Sequence, residues 1–394
     1  MTRLPQFGFD SDRLKRYIKL KSTQKCVGEI MMQFKACLAS VFISLFILTG
    51  CGGGDDSATT AAVETTPGAP VKTVKLKMAS AFPASLPLLG VGAVEWTETV
   101  KLLSSGSLDI KFYEPNALVP GLEAIPAASK GSVEMAWASS GYYAGFNNVF
   151  SMFTAVPFGP NATEFLAWYY YGDGSKFADE LYGAHNIKYL PCHMIPPEAS
   201  GWFKKEINSV DDLKGLKMRF FGLGAKVMDK LGVSTQLLAG GEIFQALQMG
   251  TIDATEFSMP SIDQSSGMYQ VAKHYYFPGW HQPASFNGVF INIDIWNSLS
   301  AHHQKVIEVA CGDKIRDGLA QGDFAQPAVL AKLVEEQGVQ IHYWKPEILA
   351  AFKSAWDEVA AEEMAVNPEF KRVYENYMAF REEFAIWRDN GYLK

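Results

Sequence analysis

The chain has 394 residues, a net charge of −7, and 48% hydrophobic against 20% charged residues. This length and composition fit two globular domains with substantial cores once the N-terminal segment is set aside. The sequence contains no basic clusters and no phosphate-loop, zinc-protease or serine-hydrolase motif, so nucleic-acid binding and those enzyme classes are not indicated.

The N-terminal segment indicates export. Residues 1–30 are polar and basic, and we expect them to be non-structural or untranslated, with Met31 or Met32 as the start. Residues 31–51 carry a lysine, a short apolar run and then Leu-Thr-Gly-Cys, the pattern of a bacterial lipoprotein signal peptide. The prediction is a periplasmic protein lipid-anchored to a bacterial membrane through Cys51; a generic signal peptide with an incidental cysteine is the alternative. Residues 52–72, rich in Gly, Thr and Ala, predict a flexible linker.

The first part of the body predicts alternating strands and helices. Residues 73–80 and 107–115 have strand patterns, 87–106 has helical spacing, and 121–139 predicts a helix followed by a strand. A β-α-β-α-β order indicates an α/β layout with a mainly parallel sheet.

A second unit of the same kind follows. Strands are predicted at 187–195 and 201–207. A short strand leading to Arg219 then precedes a helix at 225–231, and another helix and a strand at 251–257 follow. A further strand lies within 286–299, and from there helical spacing runs almost to the end. The prediction is a two-lobed α/β protein with a ligand cleft between its lobes. Lobe I comprises 73–195 with a return strand near 286–297, lobe II comprises 196–285, and the helices of 298–394 pack on both.

The residues alone leave two questions undecided, namely the role of Arg219 and the state of the two cysteines in the body. Arg219 ends a strand before a Gly-rich opening into a helix, so it either holds an anion or forms a surface salt bridge with Asp211 or Asp212. Cys192 and Cys311 have neighbourhoods that favour two ordinary buried thiols, although they could pair in an oxidising compartment.

Several motifs in order point to a family. The strings INSVDDLKGLKMRFFGLGAKVMDKLGV and GGEIFQALQMGTIDATEF closely resemble the DctP-type solute-binding subunits of tripartite ATP-independent periplasmic (TRAP) transporters. SGWFKKEI and YYFPGWHQPASFNGVFIN are similar to the branch that binds 2-oxo acids or lactate. The resemblance runs from residue 73 to the C-terminus. It implies a periplasmic-binding-protein-like fold whose lobes close over an organic anion, a long helix spanning both lobes, delivery to a membrane permease, and no catalysis.

The resemblance also assigns the site. Arg219 would bind the ligand carboxylate in a bidentate manner, which suits a planar guanidinium. The Glu256 carboxylate and the Phe257 carbonyl would hold a cation that bridges to the ligand, and hard oxygen ligands suit Na⁺ or Ca²⁺.

Four positions depart from the branch. Phe257 replaces its usual Trp, which keeps an aromatic wall but loses an indole N–H donor. Glu198 replaces its usual Gln and Gln282 its usual Glu, so two carboxylates would remain if both positions coordinate the ion; the alternative is drift at positions that face solvent. His281 replaces a Trp, and if it touches the pocket, affinity should change between about pH 6 and 7.

Other residues have family counterparts. Tyr142 and Tyr143 correspond to paired tyrosines, of which one hydroxyl would reach the ligand and the other would pack. Asn287 would donate to the arginine-bound carboxylate. Trp280 and Phe257 would close the apolar side of the pocket, as would Trp202 unless it is a core residue.

Three alternatives remain. The first is a receptor of the same fold for another anion, such as a C4-dicarboxylate, a sugar acid, ectoine or an aromatic acid. The second is an enzyme acting on a small carboxylic acid, and the third is a stand-alone sensory module. A homodimer is also open, because the aromatic C-terminal segment could pack on its own lobe or on a partner.

Overall fold

The computed structural model describes residues 73–391, which form two mixed sheets with helices packed on them. The strands of the first sheet are β1 Val74–Ser80, β2 Leu108–Tyr113, β3 Met135–Ala138, β4 Ile187–Ile195 and β10 Ser285–Asn292. Their order across the sheet is β2-β1-β3-β10-β4. β1 is parallel to both neighbours, whereas β10 is antiparallel to β3 and β4, so the sheet is less parallel than predicted.

The second sheet belongs to the other lobe. Its strands are β5 Gly201–Phe203, β6 Lys217–Arg219, β7 Ser234–Gln236, β8 Ala254–Thr255, β9 His274–Phe277 and β11 Gln340–Tyr343, in the order β11-β9-β5-β8-β6-β7. β6 runs parallel to both β7 and β8. Because β10 follows β9 in the chain yet pairs within the first sheet, and β11 then returns to the second, the chain crosses between the lobes more than once. The predicted two-lobed α/β fold is confirmed.

The helices cover these sheets and connect them. In chain order they are α1 Leu89–Leu103, α2 Ala124–Ser129, α3 Ala162–Tyr171, α4 Gly174–Gly183, α5 Gly222–Lys230, α6 Gly240–Met249, α7 Pro260–Ser265, α8 Ile293–Ser298, α9 Ala301–Glu335, α10 Pro346–Val366 and α11 Pro368–Asn390. α9 has 35 residues and packs on β4 and α1 of the first lobe and on α7 next to the second sheet. It is the long spanning helix that the resemblance implied. No helix within residues 73–391 has both the length and the hydropathy needed to cross a bilayer.

Local sequence explains several element boundaries. α6 ends at Met249 and is followed by Gly250, whose φ of 75° is the left-handed conformation that glycine adopts at little cost. Pro346 and Pro368 stand in the first turns of α10 and α11, where the missing N–H has no helical partner in any case. The side chain of Asn367 accepts a hydrogen bond from the backbone N–H of Phe370 and caps α11.

Some elements differ from the sequence predictions. The predicted continuous helix after residue 299 is wrong, because β11 interrupts it and pairs in parallel with β9. α5 begins at Gly222, three residues before the predicted start. α3 and α4 lie in a stretch to which no element was assigned. The predicted signal peptide, Cys51 and the linker lie outside the described residues.

Candidate functional site

A cavity lies where the ends of β3, β4 and β10 face the ends of β6 and β8, between the two lobes. Its volume is about 30 Å³, well below the range for sites that enclose an organic ligand. Both polar and aromatic side chains form its wall. They are Phe82, Leu89, Ser139, Tyr142, Ile195, Glu198, Arg219, Phe221, Phe257, Ser258, Gln282, Ser285 and Asn287.

Arg219 is the last residue of β6 and is 1% exposed. Its Nη1 donates to Glu256 Oε1 at 2.6 Å and to the Glu256 carbonyl at 2.9 Å, and its Nε donates to the Leu238 carbonyl at 3.3 Å. The alternative of a surface salt bridge is therefore wrong. Asp211 pairs with Lys214 instead, and Asp212 accepts hydrogen bonds at the start of the turn at 210–213.

Glu198, which lines the cavity, forms a buried cluster with Glu256 and His281. The Nε2 atom of His281 lies 3.6 Å from Glu256 Oε2 and 3.8 Å from Glu198 Oε2. Glu198 Oε1 accepts from the Ser258 hydroxyl at 3.2 Å, whereas Oε2 of each glutamate has no hydrogen-bond partner. Buried carboxylate oxygens without partners are costly, and a bound cation would satisfy them.

The two carboxyl groups are electrostatically distinct. Burial raises the pKa of Glu198 well above its ordinary value, and the neighbouring Glu256 charge adds to the effect. Burial is the largest single influence on Glu256 and opposes its ionisation, but Arg219 and the neighbouring His281 and Phe221 together outweigh it and lower the pKa of that carboxyl. The surroundings therefore favour the ionised form of Glu256 and oppose that of Glu198, and a nearby positive charge would favour ionisation of both.

Gln282 lines the same cavity as Glu198. Its side chain is 5% exposed and its Oε1 has no hydrogen-bond partner, while its backbone carbonyl accepts from the Glu198 N–H at 3.3 Å. Glu198 is 4% exposed. The interpretation in which either exchanged position faces solvent is therefore wrong.

The paired tyrosines have separate environments. Tyr142 lines the cavity, with its ring 5.2 Å from Phe221 in an edge-on arrangement, and burial raises the pKa of its hydroxyl to about 12. Tyr143 is absent from the wall and packs against Phe146 and Phe150. The site prediction that included both tyrosines thus holds geometrically for Tyr142 alone.

Two predicted tryptophans also lie away from the cavity wall. Trp280 stacks on Phe352, with ring centres 4.8 Å apart. Trp202 stacks on Tyr275, and its Nε1 donates to the carboxyl of Asp263 at 2.9 Å. Both are core residues that support the site from behind. Phe257 and Asn287, in contrast, reach the cavity as predicted.

Sequence reasoning missed several wall residues, including Phe221, Ser258 and Ser139. Phe221 directly follows the Arg219–Phe220 pair, but nothing in that string shows that its ring crosses to the other lobe. There it covers Gly141, where an added Cβ atom would lie 2.1 Å from the ring. Asp263 was missed as well; burial raises its pKa to about 7, and its Oδ1 accepts from the Ser258 N–H.

The two cysteines of the described body form a disulfide. Cys192 in β4 is bonded to Cys311 in α9, 119 residues further along the chain. The sequence neighbourhoods favoured two separate thiols, and that interpretation is wrong. The packing of α9 on β4 brings together two cysteines that no local pattern connects.

Known proteins similar to this chain share its fold over most of its length. A monocarboxylate 2-oxoacid-binding periplasmic protein of Nostoc sp. is 36% identical over 80% of this chain and 86% of its own. A TRAP transporter solute-binding protein of Bordetella bronchiseptica, crystallised as a dimer with copurified calcium and picolinate, is 35% identical with a TM-score of 0.78, covering 80% of this chain and 94% of its own. A TRAP periplasmic solute-binding protein of Pseudoalteromonas atlantica, with bound sodium and pyruvate, is 32% identical with a TM-score of 0.77, covering 80% and 96%.

The family comparison agrees with these relatives. Residues 79–367 match the DctP family, described as bacterial extracellular solute-binding protein, family 7. The match spans both sheets and includes every cavity residue named above. The chain therefore belongs to the DctP family of TRAP solute-binding proteins.

Proposed function

We propose that this protein binds a small 2-oxo or 2-hydroxy monocarboxylate, such as pyruvate, a branched 2-oxo acid or lactate, together with a cation. It then delivers the anion to the membrane permease of a TRAP transporter. The observation that carries the proposal is that Arg219 and Glu198 line the cavity while a second buried glutamate, Glu256, pairs with Arg219 directly behind the wall. The ligands of the Nostoc and Pseudoalteromonas relatives support the same ligand class.

The charge balance of the wall requires a cation. Arg219 is already neutralised by Glu256 at 2.6 Å, so an incoming carboxylate would meet a site that is neutral or negative. A cation held by the unpartnered oxygens of Glu198, Glu256 and Gln282 reverses that sign. The Phe257 carbonyl is the fourth proposed ligand of this cation. The sodium and calcium of the relatives are consistent with such an ion.

The remaining residues would hold the organic anion itself. Arg219 would contact its carboxylate, with Asn287 and the Tyr142 hydroxyl as further donors. Because Nη1 and Nε of Arg219 are bonded to protein acceptors, a bidentate contact needs Nη2 together with a rearranged Nη1 or Nε. Phe257 and Phe221 would cover the apolar side of the ligand.

Ligand binding should depend on the cation. In protein treated with a chelator and held in sodium-free buffer, we expect calorimetry to show little binding of pyruvate or lactate, and adding a cation back should restore it. Linkage requires pyruvate to raise cation affinity by the same factor. Glu256→Gln should remove the cation dependence, and so should Glu198→Gln, whereas Glu308→Gln on the surface of α9 is the matched control.

Equal pyruvate affinity under all these conditions would contradict the cation-dependent proposal. Dependence lost in Glu256→Gln but retained in Glu198→Gln would keep the cation and contradict the carboxylate exchange. Incubating pyruvate or lactate with the protein should leave the compound unchanged, and turnover would instead favour an enzyme. Succinate titrated in parallel tests the dicarboxylate alternative.

The N-terminal segment is proposed to hold the receptor at the membrane from the periplasmic side. Cys51→Ser should release the mature protein into the soluble periplasmic fraction, because two acyl chains are needed for stable anchoring and this cysteine would carry them. Fractionation followed by a salt wash measures the effect. Cys37→Ser, within the apolar run, is the control and should remain with the membrane. A Cys51→Ser protein that still sediments with membranes would rule out lipid anchoring.

A further inference from the structure

His281 is held rigidly beside the carboxylates. The residue is 2% exposed and immediately precedes Gln282. Its ring lies edge-on to Phe220, with centres 5.0 Å apart, and edge-on to Trp280 at 5.7 Å. An added Cβ atom at Gly224 would come within 3.1 Å of the His281 Cβ, so α5 approaches closely from another side. The imidazole therefore has little freedom to turn towards other partners.

Neither ring nitrogen of His281 has a hydrogen-bond partner, although the residue is buried. The atom nearest to Nε2 on the carboxylate side is Glu256 Oε2 at 3.6 Å, followed by Glu198 Oε2 at 3.8 Å. These two oxygens are themselves unpartnered. Separations of this size are too long for hydrogen bonds. Three buried polar atoms thus converge without bonding to one another.

The distances between these three atoms fit coordination of one shared metal ion. One ligand atom from each of Glu198, Glu256 and His281 lies within 4.8 Å of the others. With metal–ligand bonds of about 2.1 Å, ligands at the tetrahedral angle are about 3.4 Å apart, which is close to the two observed separations. We propose that the cation site of this protein is a site of one histidine and two carboxylates that takes a divalent transition-metal ion, such as Mn²⁺, Co²⁺ or Zn²⁺, in preference to Na⁺ or Ca²⁺. This inference rests on the cation of the proposed function.

The donor set decides the preference. Na⁺ and Ca²⁺ are held by oxygen ligands, whereas an imidazole nitrogen favours the later first-row ions. Glu256 Oε1 stays on Arg219 while Oε2 is turned to the ion position, so the guanidinium orients this ligand from behind. Such supporting contacts are typical of metal centres. In this tetrahedral arrangement one coordination position stays open and would accept an oxygen of a 2-oxo or 2-hydroxy acid.

The test compares metals in the full chain after chelation. Competition against a chromophoric chelator should give Zn²⁺ and Co²⁺ affinities at least roughly tenfold higher than that of Ca²⁺. His281→Gln should weaken Zn²⁺ and Co²⁺ binding by roughly tenfold or more, with a much smaller effect on Ca²⁺. The visible spectrum of bound Co²⁺ should change in the same variant, which a purely packing role would not cause.

A matched control is His274→Gln, since His274 lies away from this cluster, with its Nδ1 atom 3.0 Å from His342 Nε2 at the edge of the second sheet. This variant should bind the metals like the parent protein. Equal affinity for Zn²⁺ and Ca²⁺, or an unchanged Co²⁺ spectrum in His281→Gln, would overturn the inference while leaving a Ca²⁺- or Na⁺-dependent receptor intact. If pyruvate binding is independent of every cation, the proposed function itself fails.

Discussion

Arg219→Lys is expected to weaken pyruvate binding by about 2–5 kcal/mol, or roughly 30-fold to several-thousand-fold. Lysine keeps the positive charge and can still pair with Glu256, so the buried carboxylate is not left alone. It cannot reproduce the planar set of donors that serves Glu256, the Leu238 carbonyl and the ligand together. Calorimetric titration with the cation present in excess measures the loss.

The Arg219→Ala variant should bind pyruvate no better than Arg219→Lys, and it should also be less stable. Removing the guanidinium leaves Glu256 buried and unpaired, which should lower the free energy of unfolding by roughly 3–5 kcal/mol. The lysine variant separates binding from folding, and Arg316→Lys, at an exposed pair with Asp313, is the matched control. A folded Arg219→Lys protein with the parent affinity would show that Arg219 does not hold the ligand.

Removing the disulfide between Cys192 and Cys311 should cost roughly 2–5 kcal/mol of unfolding free energy. The crosslink closes a loop of more than a hundred residues, 119 by sequence separation, and restricts the unfolded chain accordingly. Urea unfolding with and without a thiol reductant measures the effect, and the parent midpoint should fall when the reductant is present.

The double variant Cys192→Ala/Cys311→Ala separates the crosslink from any other action of the reductant. Its midpoint should lie near that of the reduced parent and should not move when reductant is added. Ligand affinity should change little, since neither cysteine lines the cavity. A parent midpoint that is insensitive to complete reduction would show that the crosslink does not stabilise the fold.

Elements with strong local patterns were predicted well. β1 alternates between charged and apolar residues, and the helix now seen as α1 was found from its spacing. β11 was missed because it consists of four residues between two long helices, and its pairing with β9 is a contact between distant segments. A short strand has too little pattern to outweigh helical neighbours.

The residues of the candidate site also divide into those that a local motif identifies and those that only the three-dimensional structure places. Arg219, Glu198, Phe257, Asn287 and Tyr142 were identified from linear motifs, and all five line the cavity. Tyr143 and Trp280 were included with them, although neither reaches the wall. Adjacent residues in a turn point in different directions, and only the three-dimensional structure decides which one faces the ligand. The disulfide was inaccessible for a related reason, since it depends on how α9 lies across β4.

The close approach of Phe221 to Gly141 has a consequence for how long a ligand stays bound. The Phe221 ring of one lobe contacts the backbone of Gly141 in the other, and the methyl group of an alanine at position 141 would occupy the space that the ring now fills. We therefore expect the residence time of the ligand to depend on the contact between Phe221 and Gly141, although Gly141 itself is not part of the cavity wall. A different side chain at position 141 would alter the fraction of receptors that are closed without changing any polar contact to the ligand. Substitutions at this position alone could therefore lengthen or shorten the time that the ligand stays bound during evolution.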